Sequence, residues 1–404
     1  MTLQEYFQVK ESYRLPDKIM DALLSDNAEK VIKDIKKIIS CDIRDIFQDE
    51  QGDRKNLKQD FTPDCVCDIV SQLIVDGTCI DMCSGTGALS KSVYKKTKRQ
   101  INEYEFSERT IPFALLDACI NGMEGTINKS DCLRDNVSET YLLKRCGDIS
   151  VPIRKEPYPA GTYDNVIMNP PYSMSFPEAD SMPIMGHKIP KSKADYGFLL
   201  RGLEHLKEKG RLIAILPHGI LFRGAGEGKI REWMIKEHLI HAVIGLPDKL
   251  FLNTSIPVFI FILQRRSENV LFIDASKDFV KCSAQNNMSK EQIDRIVKTY
   301  LHRKEIERYS HVASYREVEK NDYNLNIPRY VDSFVPEPIP DVEEILKNLK
   351  EIDEEEQRLK TELYAMLSEL TGNTEDMKNI KKHMKIIKPK KNEQKEYEQM
   401  ELVF

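Results

Sequence analysis

The sequence lacks any apolar run approaching the roughly 20 residues that a membrane-spanning helix needs. It opens on the polar stretch MTLQEYFQVKESYR rather than on a secretory signal. It also lacks a dominant charge. Sixty Lys and Arg stand against 65 Asp and Glu, for a formal net charge of −5, so any surface for nucleic acid has to be a local patch. No internal repeat is present, which excludes a solenoid. The nine cysteines are odd in number and scattered through apolar or loop contexts, which predicts free thiols and a reduced, cytoplasmic protein. Cys65, Cys67, Cys79 and Cys83 do not have the spacing of a zinc knuckle, and no metal site is expected. A phosphate loop is missing as well: FRGAGEGKI (residues 222–230) has Arg223 where such a loop needs Gly and Ile230 where it needs Ser or Thr.

The chain is 404 residues long, enough for two or three domains. Residues 1–58 carry two helical stripes, one of Ile19, Met20, Leu23 and Leu24, the other of Val31, Ile32, Ile35, Ile38 and Ile39. From 59 to 275 short apolar runs alternate with helical patterns: GTCIDM, INEYEF, GTINKSD, YDNVIMN, RLIAILP, HAVIGLP and IPVFIFIL. Several are nearly continuous in apolar residues, as suits strands covered on both faces. The alternation predicts a doubly wound α/β fold with a seven-stranded sheet, the last run being a candidate antiparallel strand. Residues 276–338 are mixed. In 339–372, Ile345, Leu349, Ile352, Leu359, Leu363, Met366 and Leu370 follow a heptad seam broken at Glu356, which predicts a long helix, either docked on a partner or packed on its own domain. The tail, 373–404, is polar with a basic cluster between Lys378 and Lys391, and reads as solvated chain.

The chemistry is concentrated at the predicted carboxyl ends of strands. DMCSGTGALS (81–90) follows the first strand and opens a helix; Gly85 and Gly87 permit a tight turn and a close approach of backbone to ligand, with helix N–H groups facing it. The second strand ends in Glu105, where an acid would bind ribose hydroxyls, the third near Asp131 and the fourth at Asn169. That edge is the binding crevice of an open α/β sheet, and an adenosine-containing cofactor is expected there. NPPY (169–172) closes the fourth strand with two prolines, which lack the ladder's N–H and so lock a stiff turn.

DMCSGTGALS followed by NPPY resembles the S-adenosylmethionine-dependent methyltransferases that act on a planar amino group. With FTP (61–63), KADYGFLLRGLEHLKEKGRLIAILPHGILF, GLPDKLFLNTSIPVFIFIL and NDYNLNIPRYV, the chain resembles the methylation subunit of type I restriction–modification systems, adenine-N6 DNA methyltransferases, over roughly residues 55–370. The resemblance implies a Rossmann-like methyltransferase domain with an N-terminal helical segment and a C-terminal long helix. It implies methyl transfer from S-adenosylmethionine to adenine N6 in double-stranded DNA. Phe61, Thr62 and Pro63 would hold the methionine end of the cofactor; Asp81, Cys83, Gly85 and Gly87 would line its turn; Glu105 would hold the ribose and Phe106 the adenine; Asp131 and Cys132 would complete the pocket beside Asn169.

Catalysis would fall to Asn169, Pro170, Pro171 and Tyr172. The Asn169 side-chain carbonyl and the Pro170 backbone carbonyl would accept the amine's two N–H bonds where charge develops, and Tyr172 would stack on a base flipped out of the duplex. Phe259 and Asn253 would lie near the target base. Two departures from the family pattern stand out: Met82 replaces the usual proline after the first-strand acid, and only about 60 residues precede FTP. A carbon-5 cytosine mechanism needs a Cys after a Pro, and no Pro-Cys dipeptide exists here. A protein-glutamine or RNA-guanine methyltransferase built on the same turn stays open. The implied partners are DNA, a specificity subunit on the heptad seam and a restriction subunit. QMELVF (Gln399 to Phe404) resembles the peptide by which partners bind the replication sliding clamp.

Overall fold

The structure is a computed structural model describing residues 2–39, 41–50 (backbone only for 48–50), 61–157, 161–251, 256–282, 285–333, 341–370, 372 and 379. It divides into two compact units, Met1–Ser333 and Phe334–Phe404.

The first unit is built on a mixed sheet. Its strands are β1 (Cys79–Asp81), β2 (Ile101–Glu105), β3 (Gly125–Asp131), β4 (Asn136–Cys146), β5 (Ile149–Lys155), β6 (Tyr163–Met168), β7 (Leu206–Pro217), β8 (Ile240–Gly245), β9 (Val258–Leu263), β10 (Asn269–Asp274) and β11 (Ser310–Ser314). They lie in the order β11-β10-β8-β9-β7-β6-β1-β2-β3-β4-β5. β3, β2, β1, β6 and β7 are parallel, and β9 runs antiparallel between β7 and β8. The seven apolar runs each fall on one of these strands, but the expected count of seven is corrected: the described sheet has eleven. The four additional strands extend its edges. β4 and β5 form a hairpin beside β3, closed by Gly147 and Asp148 with Gly147 at φ 69°. Glycine at the first loop position suits the twist of a two-residue hairpin. Pro152 is tolerated because β5 is an edge strand.

Both faces of the sheet are covered. Along β7, Ile213 and Ile215 enter one hydrophobic cluster while Leu212, Ala214 and Leu216 enter the other. The first cluster also takes Leu15, Ile19, Leu23, Ile32, Ile35 and Phe47 from the N-terminal helices, so that segment shares its core with the sheet. Burying a side chain of this size stabilises by roughly 1.5–3 kcal/mol. A partly buried ion-pair triad reinforces the join: Lys91 Nζ lies 2.7 Å from Asp42 and 3.1 Å from Asp117. Chain order reverses around β1, whose neighbours are β2 and β6. The loops after β1 and β6 leave the sheet at this switch point, where open α/β sheets bind ligands.

In the second unit a helix spans Val342–Ser368, capped by the Asp341 carboxylate accepting from the Glu343 N–H at 2.9 Å. None of its residues is buried.

Candidate active site

The loop after β1 is set by two glycines in the left-handed region, Gly85 (φ 57°) and Gly87 (φ 86°). Gly87 caps the helix Ala88–Thr97. A Cβ on Gly87 would sit 3.2 Å from the Glu103 carboxylate, so both conformation and space call for glycine. Asp81 is fully buried beneath the loop, accepting from the Ser90 hydroxyl (3.1 Å) and the Cys83 N–H (3.3 Å), and burial pushes its carboxyl up to about 7. Glu105, at the end of β2, accepts from the N–H groups of Gly85 (2.9 Å) and Ser107 (2.8 Å); burial raises it to about 7 as well. Phe106 beside it is 59% exposed.

Across the switch point, β6 delivers Asn169. Its Nδ2 donates to Thr62 Oγ1 at 2.9 Å, and its Oδ1 accepts from the Tyr172 hydroxyl at 2.8 Å. Thr62 is held in turn: Arg44 of the N-terminal helices donates to the Thr62 carbonyl (3.1 Å) and pairs with Asp64 (2.7 Å). Tyr172 is 7% exposed and packs edge-on against Phe251, ring centroids 6.4 Å apart. Upstream, Asp164 accepts from both the N–H and hydroxyl of Thr78 (2.8 Å each) and from Lys207 (2.9 Å), tying the start of β6 to the start of β1.

These elements enclose one cavity lined by Phe61, Thr62, Cys83, Gly85, Glu105, Phe106, Asp131, Cys132, Asn169, Pro170, Pro171 and Tyr172. Three expected residues stand behind that lining. Pro63 caps the helix Asp64–Leu73, Asp81 supports the glycine turn, and Gly87 begins the next helix. Phe259 is not among the residues that line the cavity. It is fully buried in β9, 5.8 Å from the His218 ring and 5.4 Å from Phe261, because an inward position on a strand covered on both faces belongs to the core. Asn253 and the peptide 399–404 lie outside the described residues.

Sequence reasoning missed Arg134. It pairs with Asp131 and, at 2.6 Å, with Glu178, so the Asp131 carboxylate is engaged from its own loop. The only sequence signal was an Asp-x-x-Arg spacing, a common surface pattern. Arg44 was also missed, since nothing local marks a residue that acts 18 positions away.

A family model described as N-6 DNA Methylase matches residues 47–337, well over half of the chain. The chain belongs to the N-6 DNA methylase family. The chain is 33% identical over 223 residues to the type I restriction enzyme MjaVII methylase subunit of Methanocaldococcus jannaschii, covering 50% of this chain and 38% of that one. It is 25% identical over 331 residues to the MpnII methylase subunit of Mycoplasma pneumoniae, covering 77% and 60%. Among solved structures, the type I restriction–modification system methyltransferase subunit from Streptococcus thermophilus superposes with a TM-score of 0.59 at 35% identity, over 68% of this chain and 59% of that one. The chain thus spans less than two thirds of the length of each of these relatives.

The arrangement presents an oriented acceptor beside the cavity. Thr62 and Tyr172 bond opposite ends of the Asn169 amide, which fixes its rotation. A carbonyl oxygen accepts two hydrogen bonds, so a bond from Tyr172 is compatible with a second from a ligand amine. The prolines hold the neighbouring backbone carbonyl rigid.

Proposed function

We propose that this chain transfers a methyl group from S-adenosylmethionine to the N6 amino group of adenine in double-stranded DNA, as the modification subunit of a type I restriction–modification system. The observation that carries this reading is the clamped Asn169 amide sharing one cavity with Glu105 and the Gly85 turn. The residues present fit the cofactor. A Cβ on Gly85 would meet nothing within 4 Å, so the turn is open on the cavity side. Glu105 offers a carboxylate for ribose hydroxyls and Phe106 an exposed ring for the adenine, and Phe61 and Thr62 face the same space for the methionine end. The cofactor, when bound, supplies an electrophilic methyl on a sulfonium.

The chain's own residues do the rest. An exocyclic adenine amine is a poor nucleophile because its lone pair is delocalised into the ring. Asn169 Oδ1 and the Pro170 carbonyl accept its two N–H bonds, draw the nitrogen toward tetrahedral geometry and free the lone pair. No strong base is required beforehand, because the acceptors are preorganised where positive charge develops, and after the C–N bond has formed and the methyl–sulfur bond has broken the surplus N6 proton passes to solvent. Positioning of the amine relative to the methyl contributes the remainder. Flipping the base costs a few kcal/mol. Stacking on the Tyr172 ring returns roughly 1–3 kcal/mol of that, and Tyr172 also orients Asn169. We propose the heptad seam of Val342–Ser368 as the dock for a separate specificity subunit, with a restriction subunit joining the assembly. The exposed Ile345, Leu349, Ile352, Leu359, Leu363 and Met366 support that assignment.

The test is transfer of tritiated methyl groups by the chain assembled with its specificity subunit, using duplex DNA, RNA and a glutamine-bearing release factor as acceptors. Label in DNA, recovered as N6-methyladenine, is the expected result. Label in RNA or protein alone would replace this reading with the amide or guanine chemistry that the same turn supports.

A further inference from the structure

The residue after the NPPY turn, Ser173, is held in the left-handed region at φ 50°. A non-glycine residue is disfavoured there, so neighbouring contacts must hold it. The Ser173 N–H donates at 2.8 Å to Asp195 Oδ1. Asp195 begins the helix Asp195–Glu204, and its side chain is 0% exposed. Its other oxygen accepts from Arg223 Nη1 at 3.2 Å, and the same guanidinium nitrogen reaches Glu227 at 3.1 Å. Two backbone bonds stitch the neighbouring segments together, from the Ala194 N–H to the Met174 carbonyl (2.8 Å) and from the Phe176 N–H to the Lys191 carbonyl (2.7 Å). Asp195 is the side-chain member of this seam, and it grips the peptide directly after Tyr172.

The glycine-flanked segment FRGAGEGKI therefore has a use unrelated to phosphate. Arg223 leaves it to neutralise a carboxylate that would otherwise be buried uncompensated, which is strongly destabilising. Gly219 allows this arrangement, since a Cβ there would come within 2.5 Å of the Arg223 side chain.

We infer that Asp195, charge-balanced by Arg223, is a positioning residue for methyl transfer: it locks the Ser173 peptide and thereby fixes Tyr172, and through the Tyr172 hydroxyl the Asn169 carbonyl. The inference rests on the proposed function for its kinetic consequence, but the positioning itself can be read without catalysis.

Two measurements on the full chain test it, one independent of activity. The first is amide hydrogen exchange of the peptide covering residues 169–176, in wild type, Asp195→Ala, Asp195→Asn and Arg223→Ala. Asn keeps a carbonyl acceptor for the Ser173 N–H. Faster exchange in Asp195→Ala, with near wild-type protection in Asp195→Asn, is expected. Equal protection in all four proteins overturns the inference. The second is steady-state methyl transfer in the assembled complex, with cofactor affinity measured separately by calorimetry. Asp195→Ala should lower kcat by roughly tenfold to a hundredfold, as small misplacements of reacting groups do. Cofactor Kd should stay within about twofold and Asp195→Asn should recover most of the rate, since only the acceptor role is at issue. Loss of cofactor affinity in step with kcat, or no rescue by Asn, assigns Asp195 to general stability and overturns its positioning role. A wild-type complex that transfers no methyl group while the exchange pattern holds would defeat the proposed function and leave the peptide lock standing.

Discussion

At the scale of single residues, the amide of Asn169 is the point on which the proposed chemistry turns. Removing it by Asn169→Ala deletes one of the two acceptors proposed for the target amine. A loss of turnover of roughly a hundredfold or more is expected, comparable to losing an oxyanion-hole donor. Cofactor affinity, measured by calorimetry, should be retained. Near-normal turnover would remove Asn169 from the mechanism. Thr62 offers a finer probe, because its hydroxyl accepts from Asn169 Nδ2. Thr62→Val keeps the shape and removes the acceptor, a change worth about 1 kcal/mol, so turnover should fall about fivefold while cofactor affinity changes less. The opposite split would return Thr62 to a purely cofactor-holding role. Tyr172 combines both themes. Loss of its hydroxyl in Tyr172→Phe unfastens the amide and should cost about fivefold on the same basis. Tyr172→Ala removes the ring as well and should cost far more. Equal losses in both variants would show that the ring contributes nothing to base binding.

At the scale of elements, the start of β6 is fastened to β1 through Asp164, whose carboxyl lies down at about 2 because Lys207 and the Thr78 N–H and hydroxyl all bond its charged form. An unfolded aspartate titrates near 3.9. The folded value is the lower one, so this group's contribution to stability is complete above about pH 4 and is lost as pH falls toward 2. Melting temperatures of wild type should therefore drop across that window by more than those of Asp164→Asn. Parallel curves would show that the three bonds to Asp164 contribute no net stability. Elements of this kind were legible in the sequence where strands are buried on both faces. The runs YDNVIMN and IPVFIFIL announce β6 and β9 by continuous apolarity. β4 was not legible in that way, because most of its residues are only partly buried or exposed and its pattern is broken by charge. The Gly-Asp pair at 147–148 was the available signal for its hairpin. The glycine turn and the prolines of NPPY were legible because backbone conformation demands particular residue types there, and Glu105 because it is an acid that closes a strand. Arg44, Arg134 and Asp195 were not, because each acts through contacts that only the tertiary fold creates.

At the scale of the whole molecule, the division after Ser333 separates the cavity from the helix Val342–Ser368. All the residues that line the cavity belong to the first unit. A chain ended at Ser333 should therefore fold and bind S-adenosylmethionine with a Kd close to that of the full protein, as read by calorimetry. It should fail to co-purify with the specificity subunit, because the proposed dock is gone. Truncation alone could act through lost residues of any kind, so the seam itself is tested in the full chain with Leu359→Asp and Leu363→Asp together. Both positions are about half exposed, at 52% and 43%, and both belong to the second unit, outside the core of the first. Within a coiled-coil interface the same two carboxylates would each be desolvated without a partner, at a cost of several kcal/mol each, enough to lower association by orders of magnitude. The double variant should keep its cofactor affinity and melting temperature while losing the specificity subunit and, with it, methyl transfer to DNA. A double variant that still co-purifies would move the dock off this helix, and the apolar seam would then need a different occupant.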